Sequence, residues 1–190
     1  MREYNDDIIK ACQVLRDGGV ILYPTDTIWG LGCDASNSLA VKRIYEIKKR
    51  IESKLMIVLV DSQAKLSYYT GNIPNIAYDL IDLSVKPLTI VYSGARNLAP
   101  ELVAADGSAG IRVTQEPFSK ELCARFRGAV VSTSANISGD DPPLNFGQIS
   151  VDIIKSVDYV VSFRQKDISC PLPSSIIKLD AGGQIKIIRE

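Results

Sequence analysis

The chain has 190 residues, 46% of them hydrophobic, and its 22 lysines and arginines balance 22 aspartates and glutamates. This length fits a single domain, residues 1–190, with a substantial core, and the balanced charge gives no indication of a surface built for nucleic acid or membranes. The sequence contains no histidine, which excludes the commonest general base and metal ligand.

The predicted elements of the first half alternate between helices and apolar strands. Asn5 or Asp6 is expected to cap a helix that ends at Gly18-Gly19, and Val20–Tyr23 follows as a buried strand. Helices are predicted over Ser36–Lys48, from Asp61 to Tyr69 and over Asn75–Leu83, with a strand over Met56–Val60.

The second half is predicted to be richer in strands. These cover 88–92, 110–113, 129–131, 159–161, 175–179 and 184–189, with helices over 116–126 and 151–157. A hairpin is expected at Asp180-Ala181-Gly182-Gly183, between the last two strands. The segments 93–108 and 132–150 are predicted as loops, whose length is typical of functional loops. Alternating helices and strands followed by a hairpin predict an α/β fold with a mixed sheet.

Two polar segments, Pro24–Gly32 and Ser132–Gly139, each follow a predicted buried strand. Ligands of open α/β sheets bind at the carboxyl ends of strands, so we expect both segments to line one pocket for a phosphate or an amino acid. In extended chain, Ser132, Ser134 and Asn136 share one face, and so do Thr25 and Thr27. Because Ser134 lacks a Gly-x-Ser-x-Gly motif and a histidine partner, serine hydrolysis is not expected.

A basic segment, Lys48-Lys49-Arg50, ends the second predicted helix, and Lys54 follows it. Solvated cations are common at helix C-termini, and on that ground alone they explain this segment better than a binding site does. If the chain is extended after Lys48, then Lys48 and Arg50 project together and suit a polyphosphate or a carboxylate. Arg112 lies within a predicted strand, where either a ligand anion or a structural carboxylate accounts for it. No P-loop motif is present.

The cysteines and the terminal segments indicate the compartment. Four widely spaced cysteines form no Cys-x-x-Cys motif, so a protein-bound zinc is not expected. Reduced thiols are typical of cytoplasmic proteins. The N-terminus lacks a signal-peptide core and no apolar run is long enough to span a bilayer. We expect a cytoplasmic protein with no membrane partner.

Three motifs together resemble the YrdC-domain family of threonylcarbamoyl-AMP synthases. They are Pro24-Thr25-Asp26-Thr27-x-Trp29-Gly30-Leu31-Gly32, Lys48-x-Arg50 and Ser132-x-Ser134-Ala135-Asn136, and the resemblance extends over residues 18–189. It implies the short single-domain bacterial form, with a twisted mixed sheet, flanking helices and an open cationic cleft. The implied reaction converts L-threonine, bicarbonate and ATP into threonylcarbamoyl-AMP and pyrophosphate, for the threonylcarbamoyl modification of tRNA.

The resemblance also implies roles for individual residues. Lys48, Arg50, Ser134 and Asn136 match the signature positions and are the expected catalytic residues. Thr27, Arg112, Ser132 and Ser174 match positions that hold threonine, and Arg50, Lys54, Ser108, Ser134 and Arg189 match positions around ATP. Mg²⁺ is expected to arrive with ATP, keeping water and phosphate ligands. Downstream tRNA-modifying proteins, and tRNA or double-stranded RNA, are the expected macromolecular partners.

The chain departs from the usual family pattern at Leu55, Leu59, Pro142 and Leu144, and Trp29 replaces a common tyrosine. Two alternative functions stay open. The first is an RNA-binding or ribosome-associated module without catalysis, although balanced charge argues against phosphate-driven binding. The second is a YciO-like or other carbamoyl-transfer relative on the same scaffold, although Ser134-Ala135-Asn136 favours the synthase.

Overall fold

The computed structural model describes residues 3–49, 56–71, 73–168, 173–180 and 182–190. Within them the strands are β1 (Ile21–Tyr23), β2 (Gly30–Gly32), β3 (Ile57–Val60), β4 (Leu88–Tyr92), β5 (Ala109–Val113), β6 (Val130–Ser134), β7 (Tyr159–Val160), β8 (Ser175–Leu179) and β9 (Ile185–Arg189). The helices are α1 (Asn5–Arg16), α2 (Ser38–Ile47), α3 (Leu66–Tyr69), α4 (Ile76–Leu83), α5 (Pro117–Phe126) and α6 (Val151–Ser156).

The strands form one nine-stranded mixed sheet in the order β7-β1-β2-β6-β3-β5-β4-β8-β9. β3 pairs in parallel with β5 and antiparallel with β6, and β8 pairs in parallel with β4. The prediction of a mixed sheet with flanking helices is confirmed.

Helices α1 and α5 pack on each other and contribute fully buried side chains to the core. Ile8 of α1 and Phe118 and Leu122 of α5 have no exposed surface, as their helical spacing requires. α1 begins with Tyr4 at the capping position and no side-chain cap, so the predicted cap by Asn5 or Asp6 is wrong. The end of α1 agrees with prediction, because Gly18 adopts a φ of 78° that favours glycine.

Two strands differ from the sequence prediction. β2 lies inside the segment that was expected to be a polar loop, and Gly32 permits it: a Cβ there would approach Tyr23 Cε1 to 2.6 Å. β6 continues through Ser134, which corrects the predicted strand end at Val131 and the predicted loop start at Ser132. Both strands are stabilised by pairing with each other, and this long-range pairing cannot be predicted from the local sequence.

The predicted helix from Asp61 to Tyr69 is divided into a 3₁₀ turn over Gln63–Lys65 and the short α3. The long 93–108 segment contains a second 3₁₀ turn, Pro100–Leu102. The remaining predicted helices and strands begin and end within about two residues of those observed, a margin that different boundary definitions also show.

The hairpin of β8 and β9 contains a β-bulge. Ile187 pairs with Ile177, whereas Arg189 pairs with Ile176, so Ile188 is an extra residue in β9. Side chains alternate along a regular strand, and the extra residue reverses that alternation. Arg189 therefore projects to the opposite face of the sheet from Ile187.

Candidate functional site

A cleft of about 330 Å³ lies against one face of the sheet. It is lined by Thr25, Thr27, Ile28, Trp29, Gly30, Met56, Ile57, Arg112, Ser132, Thr133, Ser134, Pro142, Leu144, Pro173, Ser174, Ile176 and Arg189. Its lining combines hydroxyl groups, two guanidinium groups and an apolar surface, as expected of a site for a small polar ligand.

Strand register brings these residues to one face. Gly30 pairs with Ser134, and Ser132 pairs with Ile57. Because paired residues and alternate residues point the same way, the two serines form the floor on this side. Glycine at position 30 keeps that floor low, since a Cβ there would lie only 3.1 Å from the carbonyl oxygen of Thr133.

The cleft lies across strands, and not at a common carboxyl edge as the sequence analysis expected. The carboxyl end of β6 carries Ser134, but β6 runs antiparallel to both β2 and β3. The edge rule applies to parallel neighbours, and here the carboxyl ends of adjacent strands point in opposite directions. The predicted convergence of the two polar segments is nevertheless confirmed, because Ala135 N donates to Trp29 O at 3.1 Å.

Arg112 is fixed by three side-chain hydrogen bonds to the protein. Its side chain is 4% exposed, and its Nη1 donates to Asp26 Oδ2 at 3.1 Å. Nε donates to Thr89 Oγ1 at 3.1 Å, and Nη2 donates to Ser174 Oγ at 2.7 Å. Arg112 thus has the structural carboxylate partner that was one of its two expected explanations, and its guanidinium also borders the cleft, where it is open to a ligand anion.

Arg189 lies beside Arg112, with Ser174 between them. Its Nε donates to Ser174 O at 3.0 Å and its Nη2 to Ser174 Oγ at 3.1 Å. Burial, and then the positive charge of Arg112, lower the pKa of Arg189 below its ordinary value. Two adjacent guanidinium groups create a positive potential that attracts an anion.

The Thr25–Thr27 segment is bent, and not extended as predicted. Thr25 Oγ1 accepts from Thr27 N at 3.1 Å and donates to Ile28 O at 2.7 Å. Both threonines still line the cleft, with their hydroxyl oxygens 3.2 Å apart. Beside them, the Trp29 ring packs against Phe146 with centroids 4.8 Å apart, which joins β2 to the 138–146 segment.

Lys48 lies behind the cleft and supports the Ser134–Asn136 turn. Only 1% of the residue is exposed, and Nζ donates to the carbonyl of Ser134 and, at 2.8 Å, to that of Asn136. The backbone at Lys48 is helical and Lys49 has a φ of 49°, so the predicted extended chain after Lys48 is wrong. Arg50, the expected companion of Lys48, lies outside the described residues, as does Lys54.

Asn136 also differs from expectation. It lies in a bend after β6 and does not share the cleft-facing side with Ser132 and Ser134. Its Oδ1 accepts from Ser134 Oγ at 2.5 Å, and its Nδ2 donates to Asp140 O at 2.7 Å. Asn136 therefore fixes the Ser134 hydroxyl and the following segment.

The predicted site residues fall into three groups. Thr27, Arg112, Ser132, Ser134, Ser174 and Arg189 meet in the cleft. Lys48 and Asn136 support it from behind. Among the described residues Ser108 is not part of the cleft wall, and its hydroxyl donates to Asp106 Oδ1 at 2.6 Å.

Several residues of the site, on its apolar side and around Arg112, were not predicted from the sequence. The apolar side of the cleft, which includes Met56, Ile57 and Ile176, is visible only from the register of three strands. The partners of Arg112, Asp26 and Thr89, were also missed. One feature of the sequence could have indicated that Asp26 pairs with a cation. It lies between Thr25 and Thr27, so it is the charged residue in a segment of neutral hydroxyl side chains.

In the part of the chain that the structure describes, no group of three or more His, Cys, Asp or Glu side chains is placed to hold a metal ion. Burial raises the pKa of the Cys33 and Cys123 thiols, which keeps them protonated. No described helix has the length and apolarity needed to cross a bilayer.

Comparisons with known proteins agree with the fold. The family model Sua5/YciO/YrdC, described as "Telomere recombination", matches residues 13–190. The threonylcarbamoyl-AMP synthase of Pseudoalteromonas translucida is 34% identical over 157 residues, which cover 81% of this chain and 84% of that protein. The enzyme of the same name from Halorhodospira halophila is 34% identical, covering 86% of each chain.

Solved structures are similar as well. P. abyssi Sua5 complexed with L-threonine has a TM-score of 0.85 and 25% identity over 94% of this chain, which spans about half (52%) of the Sua5 length. E. coli YciO has a TM-score of 0.83 at 24% identity, covering 97% of this chain and 89% of its own, and shares the fold. With a family model that matches nearly all of its length, this chain belongs to the Sua5/YciO/YrdC family.

Proposed function

We propose that this chain is a threonylcarbamoyl-AMP synthase, which forms threonylcarbamoyl-AMP and pyrophosphate from L-threonine, bicarbonate and ATP. The observation that carries the proposal is the cleft in which Arg112 and Arg189 meet at Ser174, opposite the hydroxyls of Thr27, Ser132 and Ser134. Relatives named threonylcarbamoyl-AMP synthase, and the threonine complex of P. abyssi Sua5, support it.

The threonine end of the cleft is formed by Arg112, Ser174, Thr27 and Ser132. The guanidinium of Arg112 is already fixed by three hydrogen bonds, so binding a carboxylate there requires no ordering of a long side chain. Neighbouring hydroxyls both donate and accept, which suits a ligand with an amine and a hydroxyl.

The ATP end is formed by Ser134 and Arg189, together with Arg50, Lys54 and Ser108 as the family resemblance implies. Lys48 and Asn136 act in this proposal as positioning residues, because their contacts hold the Ser134 turn. Fixed cations beside a phosphate lower the repulsion that an anionic nucleophile meets.

The chemistry needs positioning more than a protein nucleophile. The threonine amine and bicarbonate form a carbamate with loss of water. A carbamate oxygen then attacks the α-phosphorus of ATP, and the bond to the departing pyrophosphate breaks. Both reactants are anions, so the cationic cleft brings them together and holds the attack geometry.

Magnesium enters this proposal as part of the ATP substrate, bound by phosphate oxygens and water. The product serves the threonylcarbamoyl modification of tRNA, and the further partners are tRNA or double-stranded RNA and downstream modifying proteins. We also propose that residues 1–190 act as one domain and that the protein is cytoplasmic.

Pyrophosphate release tests the proposal, with L-threonine and bicarbonate omitted in turn. We expect release to require both, and threonylcarbamoyl-AMP to appear in amounts equal to the pyrophosphate. ATP turnover that ignores threonine would favour another carbamoyl-transfer activity. RNA binding with a steep salt dependence and no turnover would favour the RNA-binding module.

A further inference from the structure

Asp26 is the one carboxylate that contacts the guanidinium pair within the described part of the chain. Its Oδ2 accepts from Arg112 Nη1 at 3.1 Å, and its Oδ1 accepts from Thr114 Oγ1 at 2.6 Å. Thr114 is fully buried and the Asp26 side chain is 9% exposed. Both carboxylate oxygens are thus occupied by the protein, and Asp26 faces Arg112 from behind the cleft.

The charges at this end do not cancel. Arg112 and Arg189 carry one positive charge each, and Asp26 carries one negative charge, which leaves one net positive charge. Arg189 forms no ion pair in the described residues, and its hydrogen bonds go to the neutral Ser174. Burial, and after it repulsion by the positive charge of Arg112, lower the pKa of Arg189.

A carboxylate carries one negative charge, whereas a phosphate group near neutral pH carries between one and two. A site with two uncompensated guanidinium groups would favour phosphate over carboxylate. Both kinds of anion meet in the cleft during the proposed reaction.

We propose that Asp26 sets the anion selectivity of the cleft: by neutralising Arg112, it reserves that guanidinium for a carboxylate and leaves Arg189 as the cation that attracts phosphate groups. Asp26 is therefore a positioning and specificity residue, and does not touch substrate. The inference rests on the proposed function only in taking Arg112 as part of the amino-acid end and Arg189 as part of the ATP end. It predicts a gain of phosphate binding, which a merely structural role for Asp26 would not produce.

The test measures the affinity of inorganic phosphate by calorimetry at pH 8 and low salt, without ATP or threonine. In Asp26→Asn, the dissociation constant for phosphate should fall at least about tenfold. Without the Asp26 carboxylate, the positive charge of Arg112 is no longer compensated, and this charge lies in a partly buried site. In Arg112→Gln, phosphate should bind more weakly than in the unsubstituted protein. The double variant Asp26→Asn/Arg112→Gln restores one net positive charge, and its phosphate affinity should return to within about threefold of the original value.

Asp158→Asn is the matched control. It removes the carboxylate partner of another arginine, Arg43, and neither of these two residues lines the cleft. Its phosphate affinity should be unchanged. Equal phosphate affinities in Asp26→Asn and the unsubstituted protein would overturn the inference. If Asp26→Asn does not fold, the test compares Arg112→Gln with the double variant Asp26→Asn/Arg112→Gln. The inference is overturned if the double variant binds phosphate no more tightly than Arg112→Gln. Since no turnover is measured, failure of the synthase proposal is seen separately, in the pyrophosphate assay.

Discussion

The ammonium of Lys48 donates a hydrogen bond to the carbonyl of Asn136, 2.8 Å away, from a side chain buried behind the cleft. The same ammonium contacts the Ser134 carbonyl. A cation that looks like a substrate ligand in the sequence thus serves as an internal support for the turn that presents Ser134.

Replacing Lys48 with methionine keeps an unbranched side chain, one atom shorter, and removes the ammonium donors. The carbonyls of Ser134 and Asn136 then lose a buried charged partner, and the free energy of unfolding should fall by about 1–3 kcal/mol. Pyrophosphate release should fall at least about tenfold, because the Ser134 hydroxyl is displaced. Urea denaturation and the pyrophosphate assay measure the two effects. Lys49→Met, at an exposed neighbour, is the control and should change stability by less than about 0.5 kcal/mol.

Asn136→Asp should loosen the segment that follows β6. A carboxylate cannot make the donations of Nδ2 to Asp140 O and Ile137 O, at 2.7 and 3.1 Å. We expect amide exchange at residues 138–140 to accelerate about tenfold by NMR, since each lost hydrogen bond costs about 1 kcal/mol. Asn145→Asp is the control within the same segment. Unchanged exchange in Asn136→Asp would show that other contacts hold the segment.

Trp29, the one tryptophan of the sequence, lines the cleft and packs on Phe146. Its fluorescence should therefore report ligand binding directly. Titration with ATP or L-threonine should give a saturable change in emission whose midpoint agrees with calorimetry. The change should vanish in Trp29→Phe, which keeps an aromatic ring against Phe146. Binding seen by calorimetry with no change in emission would place the ligand elsewhere.

Asp158 should contribute to stability only above acidic pH. Its hydrogen bond from Arg43 is the main cause that lowers its pKa below the ordinary value of 3.8. Because the folded-state pKa is the lower one, this contribution is fully present above pH 3.8 and is lost as pH falls below it toward the folded-state pKa.

Asp158→Asn should therefore reduce the free energy of unfolding at pH 7 by about 0.5–1 kcal/mol, a modest value because the ion pair is partly exposed. The difference from the unsubstituted protein should narrow below pH 3.8. Urea denaturation at a series of pH values measures it, and a difference that is constant with pH would contradict the assignment.

The sequence predicted best those elements whose pattern is set by their own residues. The apolar runs that became β1, β3 and β4 and the amphipathic α5 were predicted within about two residues of their observed bounds. β2 could not be predicted, because Gly30 and Gly32 disfavour a strand and only pairing with β1 and β6 creates it.

In the site, too, local motifs could be predicted from the sequence, whereas contacts between distant segments could not. The hydroxyl-rich segments were visible as motifs, and their convergence was predicted correctly. The partner of Arg112 was not visible, because Asp26 lies 86 positions away in the chain and only the fold joins them. Lys48 was placed wrongly for a related reason: a buried lysine and a solvated one have the same local sequence, and tertiary contacts alone separate them.

The extra residue Ile188 has a consequence for how the protein matures. β9 is an exposed edge strand that adds little to the core, yet through the bulge it supplies Arg189 to the cleft. The buried core is formed by residues up to the end of β8, whereas one of the two guanidinium groups of the cleft comes from β9. Formation of the core and completion of the cleft are therefore separable steps, because the cleft gains its second guanidinium group only when β9 has paired with β8.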